Sequence, residues 1–414
     1  MVTLRMGAMA SGDLFQLLRD GAPRTRAELA DVTGLARSTI AARVDELLAT
    51  GLVAAAGEAR SSGGRPPTRF AFDQDARVIL AADLGATHAT LMVTNLTATP
   101  LAERTEAIAI ADGPASVLEH VWTVWASMLA EAGREVAEVA GVGVGVPGPV
   151  EFATGRPTSP PIMPGWDAFD IPAHLHRHLD APVLVDNDVN VMALGEFVHA
   201  WRDTRHLLFV KVATGIGAGL VSDGRLNRGA QGSAGDLGHV RAYGAATAVC
   251  TCGNIGCLEA VAAGPAVAAR LRAGGLPVAS TAEVVRLARE GNMLAVQEIR
   301  QAGRDIGAVL ATCVNLLNPS VIVIGGSLAE AGEHLLAGVR EIVYRRSPPL
   351  STQHLLISTS HTGARAGVRG AGAMVIESVL APDSVDRLVR RSVGGAAIAP
   401  TATAGSRKLA RVSP

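Results

Sequence analysis

The chain has 414 residues, enough for two or three ordinary domains. Hydrophobic residues make up 48% and charged residues 18%, which excludes global disorder and supplies the apolar surface for a sizeable core. Lys+Arg is 37 against Asp+Glu 38, so bulk charge argues for neither nucleic acid nor membrane, and any such binding has to come from a local patch.

The N-terminus carries no basic stretch followed by an apolar one, and no apolar run nears the roughly 20 residues that span a bilayer. The expectation is a cytoplasmic protein with no membrane partner. Residues 12–73 then read as three helices and a hairpin. Leu14, Phe15, Leu17 and Leu18 share one helical face before Gly21 and Pro23 break it. Thr25 with Glu28 three residues on forms a capping box that opens a second helix, ending near Gly34. A third helix is predicted from Ala36 to Thr50, with Ile40, Val44, Leu47 and Leu48 as its buried stripe. Leu52 and Val53 start a strand, Ser61 to Pro67 turn, and Arg69 to Phe72 alternate back. This is a winged helix-turn-helix layout. Arg37, Ser38, Thr39 and Arg43 are placed to read base edges, and Arg60, Arg65 and Arg69 suit a wing over phosphates. Residues 1–75 hold nine Arg and nine Asp+Glu, so an ordinary helical subdomain is the plain alternative; capping box, turn spacing and wing together favour a double-stranded DNA operator as partner.

From Arg77 the texture changes to strands interleaved with Ala-rich helices. Strands are predicted at 78–82, 91–93, 141–146, 183–185, 207–212, 217–221, 321–324 and 354–358, an α/β pattern in two lobes. The expected division is a DNA-binding domain at 1–75, a smaller α/β lobe at 76–200, a larger α/β lobe with a cysteine loop at 201–384, and a basic tail at 385–414 poorly ordered beyond a short helix. Lys211 and Lys408 are the only lysines, the other cations being Arg, which reads as compositional bias without functional weight.

Three groups of residues in this body carry chemistry. Asp83, Gly85 and Thr87, then Thr214, Gly215 and Gly217, then Gly325 and Gly326 form glycine-rich turns at strand ends. Such turns bring backbone amides to phosphate oxygens, and an acid at a strand end holds Mg²⁺ through water, as an ATP cleft requires. Each alone is an ordinary hairpin turn. Asn187 and Asp188 end one strand and open a helix, where Asp188 is placed to accept a proton from a hydroxyl and Asn187 to fix the substrate; a helix N-cap serves equally well for both. His239, Cys250, Cys252 and Cys257 lie within 19 residues and supply the four soft ligands of a closed, structural Zn²⁺ site. Cys313, in an apolar helix, reads as core.

Taken with Val146-Pro147-Gly148-Pro149-Val150, Pro164-Gly165-Trp166 and Asn318-Pro319, these residues resemble the ROK family of repressors, open reading frames and sugar kinases over residues 12–380. The resemblance implies a body like actin and hexokinase, two lobes with a sugar between them and ATP on the glycine turns. It implies Asp188 as the base in a kinase, sugar contacts from Asn187, Asp188, Asp236, His239 and Glu259, and zinc on His239, Cys250, Cys252 and Cys257. Two departures stand out. Gly85-Ala86-Thr87-His88 replaces the kinase pattern Gly-Gly-Thr-Lys, adding a methyl group and removing a permanent cation, which weighs against ATP. Asp236 replaces a glutamate, one methylene shorter, which leaves the sugar open. The function implied is a sugar-responsive transcriptional regulator, a repressor of carbohydrate-related genes, taking a monosaccharide or sugar phosphate effector and acting as a homodimer or homotetramer on a symmetric operator. The alternative is an ATP-dependent, glucokinase-like sugar kinase, or a protein that does both.

Overall fold

A computed structural model of the protein describes residues 9–58, 66–245 and 247–396. The chain forms two compact units, Met1–Ala76 with Ser378–Pro414, and Arg77–Glu377.

The first unit is a winged helix-turn-helix. Helices α1 (Ser11–Leu18), α2 (Arg26–Thr33) and α3 (Arg37–Thr50) enclose a core of Leu14, Phe15, Leu18, Leu29, Ile40, Val44 and Leu47, all fully buried. The capping box forms: Glu28 N donates to Thr25 Oγ1 at 3.2 Å and Thr25 N to Glu28 Oε2 at 2.7 Å. Gly34 ends α2 in the left-handed region, where its N–H donates to Ala30 O, and α3 starts three residues later. Leu48, expected in the buried stripe, is half-buried, because α3 presents a narrower face to the core. Strands β1 (Arg24–Thr25), β2 (Val53–Glu58) and β3 (Thr68–Phe72) pair antiparallel in the order β1-β3-β2, β1 being too short to show a periodicity in sequence. The wing tip at 59–65, with Arg60 and Arg65, lies outside the described residues.

The short helix expected at the head of the tail is the 15-residue helix Pro382–Ala396, and it belongs to this unit. Its Val385 and Val389 are buried, and it packs on α1 and α3. Gly12 N donates to Asp386 Oδ1 at 2.7 Å, and Gln16 Nε2 donates to Leu380 O at 2.8 Å. Gly12 is required here, since a β-carbon on it would lie 2.1 Å from Pro382 O. Arg407, Lys408 and Arg411 lie outside the described residues.

The second unit holds two five-stranded sheets. The first is built from β4 (Val78–Leu84), β5 (His88–Asn95), β6 (Pro100–Ala107), β7 (Val139–Val146) and β10 (Val183–Asn187), in the order β10-β7-β4-β5-β6, with a ribbon of β8 (Val150–Glu151) and β9 (Arg156–Pro157) beside it. Helices α4 (Pro114–Glu131) and α5 (Ile171–Leu175) cover it around the buried Trp125 and Trp166, whose indole N–H groups donate to Ala81 O and Ile110 O. The edge strand β6 escapes the sequence pattern because Glu103, Arg104 and Glu106 interrupt any apolar alternation. After α6 (Asp188–Ala200) comes the second sheet: β11 (Leu207–Val212), β12 (Ile216–Ser222), β13 (Arg225–Asn227), β14 (Val321–Gly325) and β15 (Leu356–Thr359), in the order β13-β12-β11-β14-β15. Helices α7 (Leu258–Ala262), α8 (Gly264–Ala273), α9 (Thr281–Arg289), α10 (Met293–Leu317), α11 (Glu333–Arg346) and α12 (Pro349–Thr352) precede α13 (Ala366–Val379).

The two lobes share helices. The apolar side of α6, with Val189, Ala193 and Phe197, packs on the second sheet, whereas α13 returns to the first through Val368, Ala371 and Met374 against Ala81, Met92 and Val191. Glu196 ties these helices together. Fully buried on α6, it accepts from Ser360 Oγ at 2.8 Å, His361 N at 2.7 Å and Thr362 N at 3.1 Å, just ahead of α13. Burial alone would raise its pKa; the Thr362 hydroxyl, which also donates to it, and these donors more than offset that and hold it below the ordinary glutamate value.

Candidate functional site

Several of the residues singled out in the body lie at the carboxyl ends of β4 and β10, and the second glycine turn follows β11. Ligands of open α/β sheets bind at such strand ends. Asp83 sits one residue from the end of β4, Asn187 closes β10 with Asp188 opening α6, and Lys211 sits one residue from the end of β11.

Asn187 forms the helix N-cap that its motif offered and also braces a neighbouring turn. Its Oδ1 accepts from Val189 N at 2.9 Å, the helix N-cap, and its Nδ2 donates to Gly148 O at 2.8 Å, fastening the Pro147–Pro149 turn to the site. Just before it, Asp186 is buried and takes Arg228 Nε at 2.6 Å and Asn190 Nδ2 at 2.8 Å, while the Arg228 guanidinium stacks 3.7 Å over Phe152. These contacts anchor the start of α6 from three directions.

Asp188 is 4% exposed and paired with Lys211, Nζ to Oδ2 at 2.5 Å. Burial pulls the Lys211 ammonium down; the Asp188 carboxylate beside it, with Asp83 and Glu259, outweighs that and holds it above the ordinary lysine value. Asp83 goes the other way: burial, then the charge of Asp188, pushes its carboxyl up to about 7 in spite of Lys211. Sequence reasoning passed over Lys211, Asp186 and Arg228. Lys211 did leave a signal, a lysine inside an otherwise apolar strand of an arginine-using chain, and it is no mere bias of composition.

Glu259, at the start of α7, accepts from Ile216 N at 3.0 Å through Oε2 and so grips the second glycine turn. A β-carbon on Gly215 would lie 2.5 Å from that oxygen. Thr214, at the same turn, lines a cavity of about 290 Å³ with Pro265, Arg272, Ser280 and Thr281. At the third turn Gly326 has φ +89° and its β-carbon would meet Val212 O at 2.6 Å, so the turn closes onto β11. In the first turn Gly85 N donates to His88 O at 2.7 Å. Ala86 is partly buried against the core of the first lobe, and the His that stands at 88 is exposed.

His239, Cys250, Cys252 and Cys257 meet with all donor atoms within 4.8 Å of one another. Cys250 Sγ lies 3.7 Å from His239 Nδ1, and Cys252 Sγ 3.7 Å from Cys257 Sγ. Tetrahedral bonds of the usual lengths put sulfur donors about 3.8 Å apart, so the four residues fit a metal ion of that geometry. A hydrogen bond from the Asn254 backbone lowers the exposed Cys252 thiol to about 7. With Nδ1 turned to the thiols, His239 Nε2 faces Asp236, 3.9 Å from its Oδ1. The cluster thus brings Asp236 and His239 into one small region, and Glu259, two residues after Cys257, begins the helix that follows.

On the first unit, Arg37 and Ser38 are exposed at the start of α3 and Thr39 is half-buried. Arg43 is engaged on its own helix, with Nη1 3.0 Å from Glu46 Oε2.

The ROK family matches residues 79–378. A xylose repressor of Caldicellulosiruptor bescii is 28% identical over 370 residues, covering 86% of this chain and 92% of that protein. Among solved structures, a ROK family transcriptional regulator, a homologue of the E. coli MLC protein, superposes with a TM-score of 0.78 at 27% identity, covering 92% of this chain and 98% of its own. The ROK hexokinase of Thermus thermophilus gives 0.63 at 30% identity and covers 73% of this chain and 99% of its own. A winged helix ahead of a two-lobed actin/hexokinase-like body, matched in this way along most of its length, places the chain in the ROK family.

Proposed function

We propose that this protein is a sugar-responsive transcriptional regulator, a repressor of carbohydrate-related genes. The observation that carries this reading is the winged helix itself: the regulator of similar fold extends over it, whereas the hexokinase covers a share of the chain close to that of the body alone. Arg37, Ser38 and Thr39 are exposed or half-exposed at the start of α3, the end of a recognition helix that meets base edges, and they read a double-stranded DNA operator there. The operator is symmetric and the protein a homodimer or homotetramer.

The effector is a monosaccharide or sugar phosphate held by Asn187, Asp188, Asp236, His239 and Glu259. The metal on His239, Cys250, Cys252 and Cys257 is zinc; all four positions are protein donors, which is the arrangement of a structural site, and its part is to hold the 239–257 loop and the two sugar contacts beside it. Effector binding favours one of two states of the body. The chain passes from one unit to the other at 76–77 and again at 377–378, so a shift of α13 against the first lobe and a shift of β4 both reach the DNA-binding unit through the backbone. A thermal-shift screen of the full-length protein across monosaccharides, their phosphates and ATP tests this reading: sugars should stabilise it and ATP should not. Stabilisation by ATP together with a sugar would favour the second reading, an ATP-dependent sugar kinase with Asp188 as base, for which the cavity beside Thr214 speaks.

A further inference from the structure

We propose that Lys211 is a positioning residue of the effector cleft: its ammonium holds Asp188 by one carboxylate oxygen so that the other is presented to a ligand hydroxyl. The inference rests on the reading that this cleft takes a sugar.

Three observations carry it. The pair is asymmetric. Lys211 Nζ takes Oδ2 of Asp188, and among the described residues no hydrogen bond is directed at Oδ1. The surroundings leave room for the lysine. Across the sheet, Lys211 is in register with Gly217 on β12 and Gly325 on β14, so no neighbouring side chain on its own row competes for the space. The residue type is also particular. Arginine serves as cation at the other described basic positions apart from histidine, yet here the chain has a lysine, a compact point charge that engages a single oxygen, where the planar fork of arginine is built to take both. A neutral polyol offers hydroxyl donors, and a buried carboxylate with one free oxygen in fixed orientation is a matching acceptor. Without the ammonium, Asp188 would face Asp83 uncompensated and turn away or take up a proton, in either case losing the orientation.

The test is calorimetric titration of full-length protein with D-xylose, D-glucose and N-acetyl-D-glucosamine in turn, for the native chain, Lys211→Met, Asp188→Asn and the double variant. The sugar that binds the native chain should bind Lys211→Met at least tenfold more weakly. Because the lysine acts through the aspartate, adding Lys211→Met to Asp188→Asn should change affinity less than twofold. A merely structural brace predicts otherwise, either unchanged affinity in Lys211→Met or losses that add in the double variant, and either result overturns the proposal while leaving the sugar reading intact. If the native chain binds none of the three sugars and none of their phosphates, titrated in the same way, the sugar reading itself is overturned. A second measurement needs no variant: acylation of native protein by an amine-reactive ester, mapped by mass spectrometry and normalised to Lys408. Saturation with the sugar that binds should slow labelling of Lys211 at least fivefold, and equal labelling with and without it contradicts the assignment.

Discussion

Gly367 of α13 faces Asp83 of β4 so closely that a β-carbon on the glycine would lie 1.9 Å from Asp83 Oδ2. Glycines recur along this approach: a β-carbon on Gly145 would lie 3.4 Å from Asp83 Oδ1, and one on Gly370 would lie 1.7 Å from Val191 O. Gly367→Ala is expected to cost about 1–3 kcal/mol of stability through overpacking. Asp83→Ala in the same chain should restore most of that loss. Denaturant titrations of the native, single and double variants check the contact, and additive losses would show that the crowding lies elsewhere.

Asp83 also sets a pH dependence. Its folded pKa, about 7, stands above the ordinary 3.8, so the folded state binds the proton more tightly than the unfolded chain. The associated stability is fully present below pH 4 and is lost as pH rises through 7. Asp83→Asn removes this titration. The stability of the variant relative to the native chain should therefore rise by on the order of 2–4 kcal/mol between pH 4 and 8. A flat difference across that range would mean that Asp83 stays ionised in the fold.

Much of the architecture is legible in the sequence because local signals agree there with the fold. The Thr25–Glu28 capping box, the Ile40–Val44–Leu47 stripe and the apolar strands that became β4, β7, β11 and β14 are of this kind. The cysteine cluster is legible for a related reason, since three of its four ligands fall within eight residues and one loop folds them together. What escapes is set by distant partners. The joining of Pro382–Ala396 to α1 and α3 depends on Gly12 and Asp386, more than 370 residues apart in the chain. Lys211 means little in sequence until β11 carries it to Asp188, and Arg228 until its loop meets Asp186.

One zinc ion per chain is expected on His239, Cys250, Cys252 and Cys257. Binding free energy of roughly 10 kcal/mol or more is usual for such sites, so stripping the metal should unfold the loop between them and expose its thiols. Elemental analysis with thiol titration in native buffer checks this. Three freely reactive thiols and no stoichiometric metal in the purified protein would refute it.

Arg37 and Arg43 should differ in their effect on DNA binding. Arg37→Ala is expected to cost about 1–3 kcal/mol on the preferred site and to relax specificity at one base position. Arg43 is partly engaged by Glu46, and its loss should cost less. Point substitutions suit this test better than deleting residues 1–75, because deletion would strip the partners of the C-terminal helix and expose Val385 and Val389. Equal losses for the two arginines, measured by titrating duplexes selected from a random pool, would contradict the placement of α3.

Operator affinity measured with and without sugar tests the account most directly. A full-length protein titrated onto its selected duplex at fixed salt, first alone and then with saturating sugar, should show a change of about 5- to 150-fold, the range of a coupling of roughly 1–3 kcal/mol. ATP consumption followed in the same samples should stay at background. An operator affinity that no sugar alters, or sugar-dependent ATP turnover at ordinary kinase rates of about 1–100 per second, would contradict it.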